Sequence, residues 1–456
     1  MTVADDVRSL ALVGGTLIDG NGGTALSDAT LIVRGNRIVW VGPAREAQVP
    51  DDATTVDTRG KWILPGLIDS HVHIGTSGGG NANPAEFAQA TLASNLKSYL
   101  VFGVTSIMDM GGQPHLDAIA SKIASQELLG PRLFGVRYGV TAPESHPIGL
   151  LREFGALEKM GSHFLQVDDA ETARALVRRI ATEHPAGLKI YHSRTEFPGT
   201  MCLDCNRDKL RPEVLAALVD EGHAQGLRVF AHIAYPSEAR EVVLAGADVL
   251  AHPITHAESG VDEVTELMVE RGVMMHSTLT RVEAYFGLMV NPFAREMLRG
   301  KVADTVLDGL ALPRSVVLAR HTRSGVTEDA RRILETTMAN VRRANEAGVM
   351  IVMGTDSGGA GGFHGACVPR EMELLNECGL TPMAVIVAAT RNAARSLGMS
   401  DELGTLEATK LADVAILDAD PLQRTSHIRQ VSAILKDGML IDVAQISVNE
   451  GVSRVG

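Results

Sequence analysis

The sequence lacks several things that would assign it elsewhere. Its net charge of −13 leaves no basic excess of the kind a nucleic-acid surface needs. Small neutral or cationic partners are expected instead. No apolar run approaches the roughly 20 residues that span a bilayer, so no membrane partner is expected. Four cysteines in 456 residues do not make a disulfide framework. The opening MTVADDVRSLALVGG carries acidic residues where a secretory leader is basic, and its apolar run is short. No low-complexity tract and no short internal repeat are present. These absences together point to a cytoplasmic, soluble enzyme acting on a small molecule. The chain is long enough for a barrel plus an accessory domain, and a homo-oligomer is expected.

What is present divides into two textures. The first sixty residues alternate short strand-like runs with turns, in LALVGGTLIDG, DATLIVRGNRIVWVG and ATTVDTRGKWILPG. Val, Ile and Thr enrichment broken by Gly and Asn is hairpin chemistry. The end repeats it in ADVAILDADP and VSAILKDGMLIDV. One small composite β-sandwich domain, from residues 1–65 and 401–456, is the expectation.

Between them, strand-sized apolar runs alternate with helix-period segments. LIDSHVHI, VTSIMDMG, RLFGVRYGV, LKIYHS, RVFAHIAY, DVLAHP, VMMHSTL and VMIVMGTDSG each precede a helical stretch. Eight such pairs predict an α/β fold of the (β/α)8 TIM-barrel type over residues 66–400. Gly103, Gly130, Gly226, Gly246, Gly272 and Gly348 are placed as helix C-caps before the next strand.

The candidate chemistry collects at the predicted C-terminal ends of the strands. His71 and His73 are two apart on one strand and so share a face. A pair of this kind also fits two structural histidines. His232, His252 and Asp356 follow at the ends of the fifth, sixth and eighth strands. Apolar strands offer no partners for so many imidazoles and a carboxylate, whereas a divalent metal does. Zinc suits the set best, and manganese, cobalt, nickel or iron are alternatives. Lys189 sits between Leu188 and Ile190 in the fourth strand, where an ammonium is costly. It has three readings: a structural lysine, a Schiff-base lysine, or an amine neutral enough to take up carbon dioxide as a carbamate.

These residues resemble the amidohydrolase superfamily, in its two-metal members with a carboxylated lysine and their prolidase-like, imidazolonepropionase-related group. The resemblance runs through GGTLIDG, ILPGLIDSHVHI, FGVTSIMDMGG, GLKIY, the stretch from LVDEGHAQG to LAHP, MGTDSG, FHGACVPREMELL and GTLEATKLADVAILDADPL. It implies a buried metal on His71, His73 and Asp356, a more exposed metal on His232 and His252, and carboxylated Lys189 bridging the two. It further implies a metal-bridging hydroxide as nucleophile, Asp356 as base and then acid, and Tyr235 as a donor to the oxyanion. His364 matches a His-Gly of the group and, with His192, Tyr191 and His276, is a candidate for substrate contact. His276 lies where the group more often has Pro-Thr.

His256 reads as a loop histidine, Cys202 and Cys205 as incidental, and Arg194, Arg207 and Arg281 as candidate partners for a substrate carboxylate or plain surface arginines. The function expected is hydrolysis of an amide C–N bond in a peptide-like or N-acyl amino acid substrate. The alternative is a cyclic amide, urea or carbamate, xenobiotics included. A one-metal deaminase would lack the bridging lysine, and a non-catalytic scaffold relative would be expected to lack ligands.

Overall fold

The computed structural model describes residues 9–76, 84–111, 113, 115–153, 157–194, 208–257, 259–285, 296–309, 326–359 and 361–449. Cys202, Cys205 and Arg207 lie outside them.

Both ends of the chain build one sheet. β1 (Ser9–Leu17), β2 (Leu26–Arg34), β3 (Arg37–Pro43), β4 (Thr54–Asp57) and β5 (Trp62–Pro65) come from the start. From the end of the chain come β16 (Val414–Leu417), β17 (Val431–Lys436) and β18 (Met439–Asp442). The order β18-β17-β16-β5-β1-β2-β3, with β4 on β1, makes an eight-stranded sheet joined where β5 and β16 pair antiparallel. Leu12, Leu31 and Val33 from one end share a core with Val414, Ile416 and Leu435 from the other. Neither end can therefore bury its apolar face alone. The β17–β18 hairpin turns on Asp437 and Gly438, both at positive φ, as a two-residue Asp-Gly turn requires. A Cβ on Gly438 would stand 1.9 Å from the Gly35 carbonyl oxygen, so only glycine fits.

The middle of the chain is a closed parallel barrel. Its strands are β6 (Leu67–Val72), β7 (Val104–Asp109), β8 (Arg132–Gly135) continued by β9 (Gly139–Thr141), β11 (Leu188–Tyr191), β12 (Val229–His232), β13 (Val249–Leu250), β14 (Met274–His276) and β15 (Ile351–Val352). The hydrogen bonds Asp356 N to His71 O (2.7 Å) and His73 N to Ser357 O (2.8 Å) close the eighth strand on the first. Ala186 N to Gly135 O (2.9 Å) carries the wall from the third strand to the fourth.

Alternation then sorts the side chains. Leu188, Ile190, Ala231, Met275 and Ile351 join the layer under the helices, while Ile68, Met108, Phe230, Val249, Met274 and Val352 fill the barrel. The helices follow the apolar period: in Ala170–Ala181, Ala173, Val177 and Ile180 are buried, and the Asp169 carboxylate caps the start by accepting from Thr172 N at 2.8 Å. Among the described residues, no helix is long and apolar enough to cross a membrane.

Three details differ from the sequence reading. The third strand breaks at Arg137, which takes a φ of 65°. A short strand, β10 (Phe164–Gln166), pairs with β9 where only a loop was expected. Gly130 is not a left-handed cap: the helix Leu116–Ala124 ends earlier, and Gln126 takes the positive φ of 63°. Gly130 instead stands where a Cβ would come within 3.0 Å of Leu96 Cβ, so close packing accounts for it.

Candidate metal centre

The first and eighth strands are clamped together by their buried polar residues. Asp69 accepts from Thr355 N at 2.9 Å and from Thr355 Oγ1 at 2.6 Å. A Cβ on Gly354 would lie 2.9 Å from His71 Cβ, so glycine lets the two strands approach. Asp356 follows with a φ of 56°, a left-handed conformation that aspartate tolerates better than most residues. Strain of this kind persists where the surroundings hold it, here through the Asp356 N to His71 O bond.

The result is a convergence of acceptors. His71 Nδ1 donates to Ala251 O (3.0 Å) and His73 Nδ1 to Gly111 O (3.1 Å). A carbonyl can only accept, so each ring's Nε2 carries its lone pair when the imidazole is neutral. Both Nε2 atoms face Asp356 Oδ1, at 3.4 Å from His71 and 3.2 Å from His73. His252 is oriented by a contact of 3.0 Å between its Nδ1 and Thr278 Oγ1. One donor atom from each of His71, His252 and Asp356 falls within 4.8 Å of the others.

His232 completes the ring, its centroid 4.4 Å from that of His252. Burial holds His71, His232 and His252 well below the ordinary histidine pKa, so these imidazoles are neutral. The neutral His71 lone pair is aimed at the Asp356 carboxylate, and a cation between the two would relieve their repulsion. Zinc-to-ligand distances of about 2.0–2.2 Å suit this spacing. Orienting bonds from the far ring nitrogens to carbonyl and hydroxyl groups are the usual support of metal-bound imidazoles. The donor set therefore fits a divalent metal.

Lys189 is fully buried, and its Nζ has no hydrogen-bond partner among the described residues. The amine lies 5.2 Å from the centroid of the Tyr191 ring. Burial lowers its pKa to about 7, which leaves a large share of free amine at neutral pH. A free amine is the form that takes up carbon dioxide, and equally the form that attacks a carbonyl.

The remaining candidates separate. Tyr191 stacks on His232 with centroids 5.2 Å apart, at the barrel mouth. His276 is fully buried, 5.7 Å from His71 ring to ring, and neither of its nitrogens has a partner among the described residues. His364, expected at the substrate, spends both nitrogens on the protein: Tyr99 Oη donates to Nδ1 (2.9 Å) and Nε2 donates to Thr76 O (2.7 Å). No ring nitrogen is left for a ligand, which corrects that expectation. His192 gives its Nε2 to Glu241 at 2.6 Å, and that bond holds the Glu241 carboxyl down to about 2. Tyr235 is half-buried and stacks on His256 with centroids 3.6 Å apart.

Arg281 is no surface arginine; its side chain is 1% exposed, with Nε 3.7 Å from Asp356 Oδ2. Arg194 is exposed and, with Ala142, Asp208 and Lys209, borders a cavity of about 820 Å³ beside the mouth. Sequence reasoning missed His146. Its ring is buried 4.5 Å from that of His232, on the long loop after the third strand, and only its place in a mouth-side loop signalled it. It also passed over Asp109, whose carboxylate ties together the loops after the first and second strands by accepting from Ile74 N (2.9 Å) and Gly111 N (3.1 Å).

Comparison with known proteins finds similar sequences and folds along most of the chain. Residues 62–444 match the sequence profile of the amidohydrolase family. An ochratoxinase from Aspergillus niger is 25% identical over 464 residues, covering 94% of this chain and 85% of that protein. An imidazolonepropionase from Geobacillus thermodenitrificans is 25% identical over 435 residues, covering 91% and 88%. The crystal structure of a prolidase complexed with N-methylphosphonate-L-proline superposes with a TM-score of 0.74 at 22% identity, over 95% of this chain and all (100%) of that one.

Proposed function

The chain belongs to the amidohydrolase family, whose enzymes hydrolyse carbon–nitrogen bonds, and from that premise we propose that it cleaves the amide bond of an N-acyl amino acid or similar peptide-like substrate. The observation that carries this reading is the convergence of His71, His252 and Asp356 within 4.8 Å beside the buried, unpaired amine of Lys189. His71, His73, His232, His252 and Asp356 would hold two divalent cations, with zinc the best match to imidazole and carboxylate donors. Lys189, as its carbamate, would bridge them. Such cations acidify water and polarise a carbonyl.

The chain's own residues do the rest. Asp356, held at the mouth by its backbone bond to His71, accepts the proton of the attacking water and passes it to the leaving nitrogen. Tyr235 donates to the developing oxyanion. Arg281, buried beside Asp356, adds a fixed positive charge suited to the carboxylate of an amino acid product. The cavity of about 820 Å³ beside the mouth has room for a substrate of this size. A prolidase among the similar structures, crystallised with N-methylphosphonate-L-proline, supports an amide with an amino acid on its nitrogen side.

The test is a turnover panel with metal-reconstituted protein, using N-acyl amino acids and dipeptides beside cyclic amides, ureas and carbamates. N-acyl amino acids or dipeptides should be the substrates turned over with the highest kcat/KM. Turnover confined to ureas, carbamates or cyclic amides would replace this reading.

A further inference from the structure

Among the described residues, His276 is the one imidazole with both ring nitrogens buried and neither of them hydrogen-bonded within the protein. It is also 0% exposed. A neutral imidazole always carries one N–H and one lone pair, and burying both unmet is costly. The barrel geometry says what lies nearest. On β14, His276 is two residues beyond Met274 and shares its inward face; Met274 packs with Phe230 inside the barrel. Phe230 is the direct register partner of Lys189 on the neighbouring strand, and its ring lies 5.7 Å from that of His276. Lys189 and His276 therefore both point into the barrel beside Phe230, His276 also against the His71 ring, and the Lys189 amine and both His276 nitrogens have no hydrogen-bond partner among the described residues.

We propose that His276 positions the carboxylated side chain of Lys189 by donating a ring N–H to a carbamate oxygen, an inference that rests on the carbamate reading above. In carboxylation the Lys189 Nζ lone pair attacks the carbon of carbon dioxide, one C–O π pair becomes an oxygen charge, and Nζ releases a proton to solvent. The product has two oxygens with about four lone-pair positions. Two bound cations would draw on part of this capacity and leave the rest to call for a donor. His71 and His73 spend their N–H groups on backbone carbonyls, whereas His276 has its own to give. His276 is in this role a positioning residue, meeting neither the substrate nor the reacting atoms.

The experiment reads the carbamate itself. Protein is equilibrated with ¹³C-bicarbonate and divalent zinc, the carbamate carbon is counted by ¹³C NMR, and bound metal is measured by plasma mass spectrometry. Wild type should hold close to one carbamate per chain. His276→Phe, which keeps the size and loses the donor, should need about ten- to a hundredfold more bicarbonate for half-carboxylation, the span of one hydrogen bond to a charged group. His276→Gln, which keeps a donor, should fall between the two. Carboxylation of His276→Phe at the wild-type bicarbonate concentration overturns the proposal, and so does a His276→Gln as impaired as His276→Phe.

Absence of a carbamate in the wild type would instead remove the bridging reading and this inference together. Should His276→Phe fail to fold, ¹⁵N-histidine spectra of the wild type decide. The His276 ring N–H resonance, assigned by its loss in His276→Gln, should move when bicarbonate is removed. A resonance that stays in place overturns the proposal.

Discussion

Two buried lysines on strands, one in each region of the molecule, have opposite surroundings. Lys436, on β17 of the composite sheet, is 4% exposed, and its ammonium meets the Asp437 carboxylate. Asp437 also meets Arg132, which reaches Asp413 at 3.4 Å, so two cations face two carboxylates. Lys189, on β11 of the barrel, has no hydrogen-bond partner among the described residues, and burial pulls its pKa to about 7. Burial of a lysine is thus not the informative feature. What separates the two regions is whether the chain supplies the countercharge: the sheet pairs Lys436 with Asp437, and the barrel gives the Lys189 amine no hydrogen-bonded carboxylate among the described residues.

Variants can break that contrast from either side. The largest effect belongs to the mouth: Asp356→Asn should lower kcat by about 10²–10⁴-fold, the range for losing a general acid–base, in steady-state kinetics with the fold intact by circular dichroism. Next is metal removal. A ligand present at a thousand times its Kd stabilises the folded state by about 4 kcal/mol, so chelated protein should melt several degrees lower and recover on adding zinc. Lys436→Ala should do the reverse of Asp356→Asn. It leaves two carboxylates on Arg132 alone and should destabilise by about 1–3 kcal/mol in denaturant melts, a figure discounted for partial exposure, with kcat/KM unchanged. The smallest effect is expected of His364→Phe, which loses two buried hydrogen bonds. It should cost about 1–2 kcal/mol with KM unmoved, because no ring nitrogen serves the substrate.

How far the sequence discloses this layout depends on the range of the physics. The barrel is legible because alternation of strand and helix periods is local, and the composite sheet because Val- and Ile-rich runs broken by glycine-containing turns recur at both ends. Lys189 is legible because its apolar neighbours are adjacent in the chain. His364 misleads because the groups that use up its ring come from Tyr99 and Thr76, 265 and 288 residues away. The break in the third strand is invisible because Arg137, rather than a glycine, takes the positive φ. Gly130 fails as a cap for a related reason, since its smallness answers to Leu96 on another helix. His146 meets His232 only when the long loop after the third strand folds over the mouth.

The measurement that bears most directly on the central claim is the metal count of Lys189→Ala by plasma mass spectrometry, with and without a short carboxylic acid. If Lys189 is the bridge, wild type holds close to two divalent ions per chain, the variant holds markedly fewer, and propionate restores part of the metal and of the activity. A Lys189→Ala protein that keeps two ions and full activity would contradict the account.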